Sequence, residues 1–109
     1  MNYNYEQIVS VLKSASLLGS EVIMNTFLNT DINISLKSEN NYVTDADINT
    51  ERVIIERIKK DFPNSGFICE ESGNHTSSDS DMSWIIDPID GTNNFISGYP
   101  HFCISIGVL

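Results

Sequence analysis

Two carboxylates stand three residues apart where an apolar run ends, in the segment Trp-Ile-Ile-Asp-Pro-Ile-Asp-Gly-Thr-Asn-Asn-Phe at residues 84–95. Mg²⁺ takes about six oxygen ligands and keeps several waters, so a few carboxylates are enough to bind it. Asp87 ends the predicted strand and Pro88 forces a bend. The bend brings Asp90 back beside Asp87 and directs the Ile89 carbonyl to the same point. The segment predicts a site for hard cations, with Asp87 bridging two of them.

The residues that follow the second carboxylate suit a phosphate group. Gly91 lets the backbone approach a ligand closely. If Gly91 and Thr92 begin a helix, their backbone N–H groups face a phosphate. For this segment taken alone, the alternative is an Asp-Pro turn with a purely structural role.

A second acidic pair, Glu70-Glu71, closes the short apolar run Phe67-Ile68-Cys69. Neighbouring strands would bring Glu70 beside Asp87, where the two carboxylates repel each other unless a cation or a proton intervenes. Glu71 has the opposite orientation along a strand. We therefore expect Glu71 to support the site without binding metal itself.

Asp47 and Thr92 form the remaining candidate pair. Asp47 lies near the start of a predicted helix, where a carboxylate can simply accept hydrogen bonds from backbone N–H groups. The catalytic alternative is that Asp47 accepts a proton from the Thr92 hydroxyl, so that Thr92 activates a water. The two roles are compatible.

The periodicity of apolar residues predicts two helices and a set of short strands that must position these side chains. Gly19 inside the first helical pattern predicts close packing there. The predicted elements are a helix over 5–28, a strand over 32–37, a turn at 38–41, a helix that follows Thr44 and ends at 63–66, strands over 67–69 and 84–86, an exposed loop over 72–82 and a strand over 102–108. The overall class is α+β, with N-terminal helices packed on a largely antiparallel sheet.

Composition limits the partners. The chain has 109 residues, 40% of them hydrophobic, and a formal net charge of −9, which suits one compact domain. So acidic a chain predicts no nucleic-acid partner and no anionic membrane surface, whereas a phosphorylated small molecule stays open because cations reverse a site's charge. Two cysteines without spaced partners, Cys69 and Cys103, indicate a reducing cytoplasmic compartment. No signal peptide and no membrane span are predicted from the apolar runs.

Three blocks of this sequence resemble the inositol monophosphatase family of Mg²⁺-dependent, lithium-sensitive phosphatases, in order and in spacing. The first is Val43-Thr44-Asp45-Ala46-Asp47, and the second runs from Phe67 to Ser72, with Cys69 where the family usually has glycine. The third, Trp84 to Phe95, is nearly complete and highly specific. The resemblance covers essentially all 109 residues.

The resemblance implies roles for these positions. Glu70, Asp87 and the Ile89 carbonyl would bind one metal, and Asp87 with Asp90 the second. Two or three Mg²⁺ ions would be bound, with Mn²⁺ as a substitute. Thr92 and Asp47 would activate the water that attacks a phosphate monoester, and backbone groups of Gly91 and Thr92 would hold the phosphate. The family fold stacks helices and sheets in αβαβα layers, usually as a homodimer.

The resemblance also leaves the substrate open. Asn93-Asn94 after the threonine favours inositol monophosphate, whereas phosphatases of 3′-phosphoadenosine 5′-phosphate typically have lysine and glutamate there; fructose 1,6-bisphosphate is a further alternative. Family members run well over twice this length. We therefore expect residues 1–109 to be the N-terminal metal-binding half, without the C-terminal aspartate that completes the second metal site. A non-catalytic fragment or binding module is the competing interpretation.

Overall fold

Three helices and six strands are present in the residues that the computed structural model describes, which are 4–28, 34–38, 41–76, 79–97 and 102–109. In chain order they are α1 (Tyr5–Phe27), β1 (Ile34–Ser38), β2 (Asn41–Thr44), α2 (Asp45–Asp61), β3 (Ser65–Cys69), β4 (Gly73–Asn74), β5 (Met82–Asp90), α3 (Thr92–Ser97) and β6 (Cys103–Val108).

The larger sheet has four strands in the order β4-β3-β5-β6. Its central pair, β3 and β5, is parallel, whereas β4 and β6 pair antiparallel with their neighbours. β1 and β2 form a separate antiparallel pair. The predicted α+β class is confirmed, and the sheet is best described as mixed because its central pairing is parallel.

Helix α1 begins where the Asn4 side chain accepts a hydrogen bond from the Gln7 backbone N–H at 3.2 Å, a cap that satisfies one of the helix's unpaired donors. Its buried positions recur at spacings of three and four, which confirms the predicted periodicity. They are Ile8, Val11, Ala15, Gly19 and Ile23. Val9 and Leu18, apolar residues beside this stripe, are exposed because α1 presents only a narrow face to its neighbours.

By length and composition, α1 could also cross a membrane. No such segment was expected, because the chain has no uninterrupted apolar run that is long enough. A helix can reach the required mean hydropathy even when some of its positions are polar. α1 packs against α2 and, less extensively, against β6. A core helix passes the same test, so this feature alone is a weak argument for a membrane span.

Helix α2 begins at Asp45, directly after Thr44, as predicted. Ile54 and Ile58 are fully buried on its inner face. The same helix also buries polar side chains, namely Asp47, Thr50 and Glu51. Burying a carboxylate is costly unless hydrogen-bond partners are present, so the polar part of this face has a specific set of contacts, described below.

The core lies between the helices and one face of the sheet. Phe67 and Trp84, on neighbouring strands, are both fully buried, and their positions pair in the parallel register. The indole N–H of Trp84 donates to the Ser65 hydroxyl at 3.0 Å, which satisfies its polar atom. This packing makes β3 and β5 a rigid base for the residues at their carboxyl ends.

Several predicted boundaries were wrong because strand pairing extends farther than local composition indicates. β3 begins at Ser65 instead of residue 67, and the stretch 72–82 predicted as a loop contains β4 and the start of β5. The first positions of the predicted strand, residues 32–33, lie outside the described residues, and β1 is described from Ile34 onward. Residues 39–40 of the predicted turn also lie outside them, and its ends at 38 and 41 are strand residues.

Gly19 lies where α1, α2 and β6 meet, as its position in the helix predicted. A Cβ built there would lie 3.0 Å from Ile104 Cδ1 and 3.1 Å from Ile54 Cδ1. Valine needs still more room, so we expect Gly19→Val to lower the free energy of unfolding by about 1–3 kcal/mol, measured by urea denaturation. Ser10→Val, at an exposed position of the same helix, is the control for valine's helix propensity. An equal loss in both variants would contradict the packing argument.

Candidate metal and phosphate site

The ends of β3 and β5 bring the two predicted acidic segments together. In the parallel register Cys69 pairs with Ile86, and the Glu70 N–H donates to the Ile86 carbonyl at 3.1 Å. Glu70 and Asp87 therefore follow paired positions at the same edge of the sheet. The expected adjacency of these strand ends is confirmed.

A β-bulge places Asp87 and Asp90 on one side of β5. Residues three apart on a regular strand point to opposite faces. Here Asp87 pairs with Ser105 and Asp90 with Cys103, so three steps along β5 match two along β6. The extra residue of such a bulge resets the alternation. Ser105 and Cys103 are two residues apart and therefore lie on the same face of β6. Their partners Asp87 and Asp90 consequently lie on the same face of β5.

This bulge corrects the prediction that the strand ends at Asp87 and that Pro88 makes a bend beyond it. β5 continues to Asp90, and Pro88 is a buried strand residue within the irregular part of the ladder. Proline has no N–H to donate, so a sheet tolerates it at a bulge, where a residue is left unpaired. Asp90 lies on the same side as Asp87, as the sequence predicted. A bulge within the strand brings it there, and not a bend after the strand.

A cavity of about 270 Å³ opens at this edge of the sheet. Gly91 has a positive φ of 100°, a conformation that glycine adopts without strain, and it turns the chain from β5 into α3. The residues that line the cavity are Glu70, Asp87, Ile89, Asp90, Gly91, Thr92 and Asn94. Asn94 was not among the predicted site residues, although the pair Asn93-Asn94 served in the sequence analysis as an indicator of the substrate.

Thr92 and Asp47, which are 45 residues apart, are in contact. The Thr92 hydroxyl lies 3.2 Å from Asp47 Oδ1 and 3.0 Å from the Ile89 carbonyl oxygen. A hydroxyl has one proton to donate, so these two acceptors share it. Asp47 is 1% exposed. Asp47 is thus within reach to accept the Thr92 proton, and the carbonyl helps to hold the hydroxyl at the cavity.

Carboxylate repulsion is concentrated at Asp87. Burial raises the pKa of Asp87 above its ordinary value, and the charges of Glu70, Asp90 and Asp47 raise it further. Each of these charges disfavours a proton-free Asp87. A bound cation would reverse this effect, because it stabilises the ionised forms of all the carboxylates around it.

The donor set fits a hard divalent cation. It consists of carboxylate oxygens from Glu70, Asp87 and Asp90 and the Ile89 carbonyl, which are ligands that Mg²⁺ and Ca²⁺ prefer. Among the side chains that the structure describes, no group of three or more His, Cys, Asp or Glu residues is placed so that it could hold a metal ion by itself. Mg²⁺ usually binds through one or two carboxylates plus waters and substrate phosphate, and the arrangement suits that mode.

Glu51 is a residue that the sequence reasoning missed. Its carboxylate is 3% exposed and accepts hydrogen bonds from the backbone N–H groups of Glu71 and Ser72 at 2.9 and 3.0 Å. The acid could have been suspected from its spacing, one helical turn after Asp47. Glu71, expected to support the site, contributes its backbone N–H to this contact.

Cys69, which stands where the family usually has glycine, is buried and not disulfide-bonded. Burial and the nearby Glu51 carboxylate raise the pKa of the Cys69 thiol to about 11. The thiol therefore stays protonated at neutral pH and is a poor nucleophile.

Sequence comparison identifies the family. The model of the inositol monophosphatase family matches residues 4–109. Over 97 residues the chain is 42% identical to Nus factor SuhB of Pasteurella multocida (strain Pm70), which covers 89% of this chain and 36% of that protein.

Solved structures agree. The extragenic suppressor protein suhB of Bartonella henselae superimposes with a TM-score of 0.88 at 32% identity, covering 94% of this chain and 40% of that one. Inositol monophosphatase from Anabaena (Nostoc) sp. PCC 7120 superimposes with a TM-score of 0.78 at 33% identity, covering 98% and 36%.

Helices packed on a mixed sheet, with acidic side chains at two neighbouring strand ends, define this molecule as an α+β protein of the layered phosphatase class. The chain belongs to the inositol monophosphatase family. It spans roughly two fifths or less of the length of the relatives it matches.

Proposed function

We propose that the protein hydrolyses inositol monophosphate to inositol and phosphate, in a reaction that requires Mg²⁺. The observation that carries the proposal is the cavity lined by Glu70, Asp87, Asp90 and Thr92. The Thr92 hydroxyl at this cavity also contacts the buried Asp47. Residues 1–109 would form the N-terminal metal-binding half of such an enzyme, a proposal supported by the share of each relative that the chain covers.

The residues divide the chemistry between them. Glu70, Asp87, Asp90 and the Ile89 carbonyl would hold the divalent ions. When bound, such ions neutralise charge on a phosphoryl group and make water a better nucleophile. The Thr92 hydroxyl would orient a water, and Asp47 would accept the proton that this hydroxyl passes on.

The phosphate group would lie against the backbone N–H groups of Gly91 and Thr92, where α3 begins. The attacking water forms one P–O bond on the face of phosphorus opposite the ester oxygen. The ester P–O bond breaks, and the departing alcohol oxygen takes up a proton. We further propose that the protein binds two or three ions, accepts Mn²⁺ as a substitute and is inhibited by lithium. We also propose that it forms a homodimer and is located in the cytoplasm. Each of these properties can be measured separately.

The absence of nucleic acid from the partners stays a prediction from the charge of −9. The name Nus factor, which the Pasteurella multocida relative has, gives that prediction no support.

Phosphate release from inositol 1-phosphate tests the proposal directly. The longest protein product of the gene should release phosphate with Mg²⁺ and lose at least nine tenths of that activity with excess EDTA, because the carboxylates need the ions to act. 3′-Phosphoadenosine 5′-phosphate and fructose 1,6-bisphosphate are measured in parallel, and faster turnover of either would replace inositol monophosphate as the substrate. Undiminished release in EDTA would contradict metal dependence altogether.

A second candidate function is metal binding without turnover. The limited share of each relative that the chain spans favours it, since a third carboxylate for the second ion would come from elsewhere. Calorimetry of residues 1–109 with Mg²⁺ or Mn²⁺ should then detect weak binding of one ion at most, without phosphate release. Tight binding of two ions together with turnover would exclude this candidate.

A further inference from the structure

Helix α2 turns two buried carboxylates toward the candidate site, although the proposed reaction uses only one. Asp47 and Glu51 are four residues apart and therefore lie on one face of the helix. Both are almost completely buried. Asp47 contacts Thr92 after β5, whereas Glu51 contacts the turn after β3, so the helix reaches both strand ends.

The contacts of Glu51 are unusually complete for one side chain. Its Oε2 accepts the Glu71 N–H, and its Oε1 accepts both the N–H and the hydroxyl of Ser72. The His75 ring nitrogen Nε2 lies 2.7 Å from the same hydroxyl oxygen and extends the network. Burying a carboxylate is costly unless such donors compensate, so the turn and the side chain fix each other.

These donors belong to the two residues directly after Glu70. On its other side, the Glu70 N–H is bound to the Ile86 carbonyl at 3.1 Å. The backbone around Glu70 is thus held on its N-terminal side by β5 and on its C-terminal side by Glu51. Glu70 itself is exposed, and an exposed side chain without this support would lose more conformational entropy on binding a ligand.

We propose that Glu51 is a positioning residue, which holds the turn at residues 70–72 so that the Glu70 carboxylate faces Asp87 in a conformation ready for a divalent cation. The proposal rests on the proposed metal site and adds a residue that would not touch the metal. It also makes α2 the common support of the hydroxyl at Thr92 and of the metal ligand at Glu70. Residues that orient metal ligands typically contribute 10- to 100-fold to metal affinity.

The test replaces Glu51 by glutamine in the longest protein product of the gene and measures Mg²⁺ affinity by calorimetry. Glutamine keeps the volume but exchanges one accepting oxygen for an NH₂ donor, which repels the N–H groups it meets. We expect a 10- to 100-fold larger Mg²⁺ dissociation constant. In phosphate release, the Mg²⁺ concentration for half activity should rise equally, while kcat at saturating Mg²⁺ changes less than about threefold.

Glu56→Gln is the matched control. Glu56 is on the same helix, exposed, and paired with Arg52 at 3.6 Å, so the same chemical change there should leave Mg²⁺ affinity unaltered. A purely structural role of Glu51 would lower the Tm of Glu51→Gln and leave the dissociation constant of the folded protein as in wild type. That outcome would overturn the proposal while leaving the metal site intact.

Hydrogen exchange provides a second measurement that needs no variant. If Glu51 couples the turn to the metal, Mg²⁺ must slow exchange of the Glu71 and Ser72 amides, because coupling between two equilibria is reciprocal. Unchanged exchange of these amides at saturating Mg²⁺ would reject the proposal even if Glu51→Gln does not fold. A wild-type protein that binds no Mg²⁺ at all would instead refute the proposed function.

Discussion

Asp87→Asn will lower Mg²⁺-dependent phosphate release by about a thousandfold or more in kcat/KM. Asp87 is the carboxylate that the other acids of the cavity surround, and in the proposed site it binds both ions. Charge stabilisation by bound metal amounts to several kcal/mol, and each 1.36 kcal/mol corresponds to about tenfold in rate. Phosphate release and Mg²⁺ calorimetry are the measurements, and activity that survives the substitution unchanged would eliminate the metal assignment.

The same substitution should make the metal-free protein more stable. The pKa of Asp87 in the folded chain is raised from its ordinary value of 3.8, by burial and then by Glu70, Asp90 and Asp47. The folded state therefore binds this proton more tightly than the unfolded state. Stability contributed by this group falls as the pH rises above 3.8 through the raised pKa. Asparagine carries no charge and removes this loss, although the gain is modest because solvent screens a half-buried group.

Thermal unfolding in EDTA at several pH values tests whether Asp87→Asn raises the stability as expected. The Tm of Asp87→Asn should exceed that of wild type at pH 7 and approach it as the pH is lowered toward 3.8. Asp79→Asn, at an exposed position outside the cavity, should change neither Tm nor phosphate release. A lower Tm for Asp87→Asn at pH 7 would mean that hydrogen bonding at Asp87 outweighs the repulsion.

Asp47→Asn is expected to reduce kcat by about 10²- to 10⁴-fold, the range of a lost general base. Its carboxylate is 3.2 Å from the Thr92 hydroxyl and almost fully buried, and asparagine cannot take up the proton. Mg²⁺ affinity should stay within about threefold of wild type, because Asp47 is not among the proposed ligands. Steady-state kinetics and calorimetry together separate these two effects.

Further variants decide between catalysis and helix capping at Asp47. Asp45→Asn removes a charge from the same first turn of α2 and should have little effect on kcat; an equal loss would favour capping. Thr92→Val should lose as much activity as Asp47→Asn, and the double variant should lose little more, because residues that act as one unit are not additive. Thr92→Ser keeps the hydroxyl and should restore most of the activity.

The sequence was a good guide to the elements of the fold, and less so to their ends. The stripe from Ile8 to Ile23 determined α1 by spacing alone, and Thr44 before a periodic segment determined the start of α2. β4 could not be found this way, because Gly73 and Asn74 have no strand propensity. They form a strand because they pair with Ile68 and Cys69.

What the sequence by itself determined is the chemistry of the site: oxygen ligands, a hydroxyl and a glycine in an order and spacing typical of one family. Asp87 and Asp90 were identified by residue type, and Glu70 by its place at the end of an apolar run. These properties are local, so residue types and spacings within short segments are enough to identify them.

The tertiary structure decided how the acids come together. The bulge opposite Ser105 and Cys103 turns Asp87 and Asp90 to one side of β5, and it depends on pairing with a strand that lies later in the chain. Glu51 became a candidate only when α2 brought it to amides 20 and 21 residues away. Such partners are set by packing between distant segments, and a buried carboxylate reveals its role only through the donors that compensate its burial.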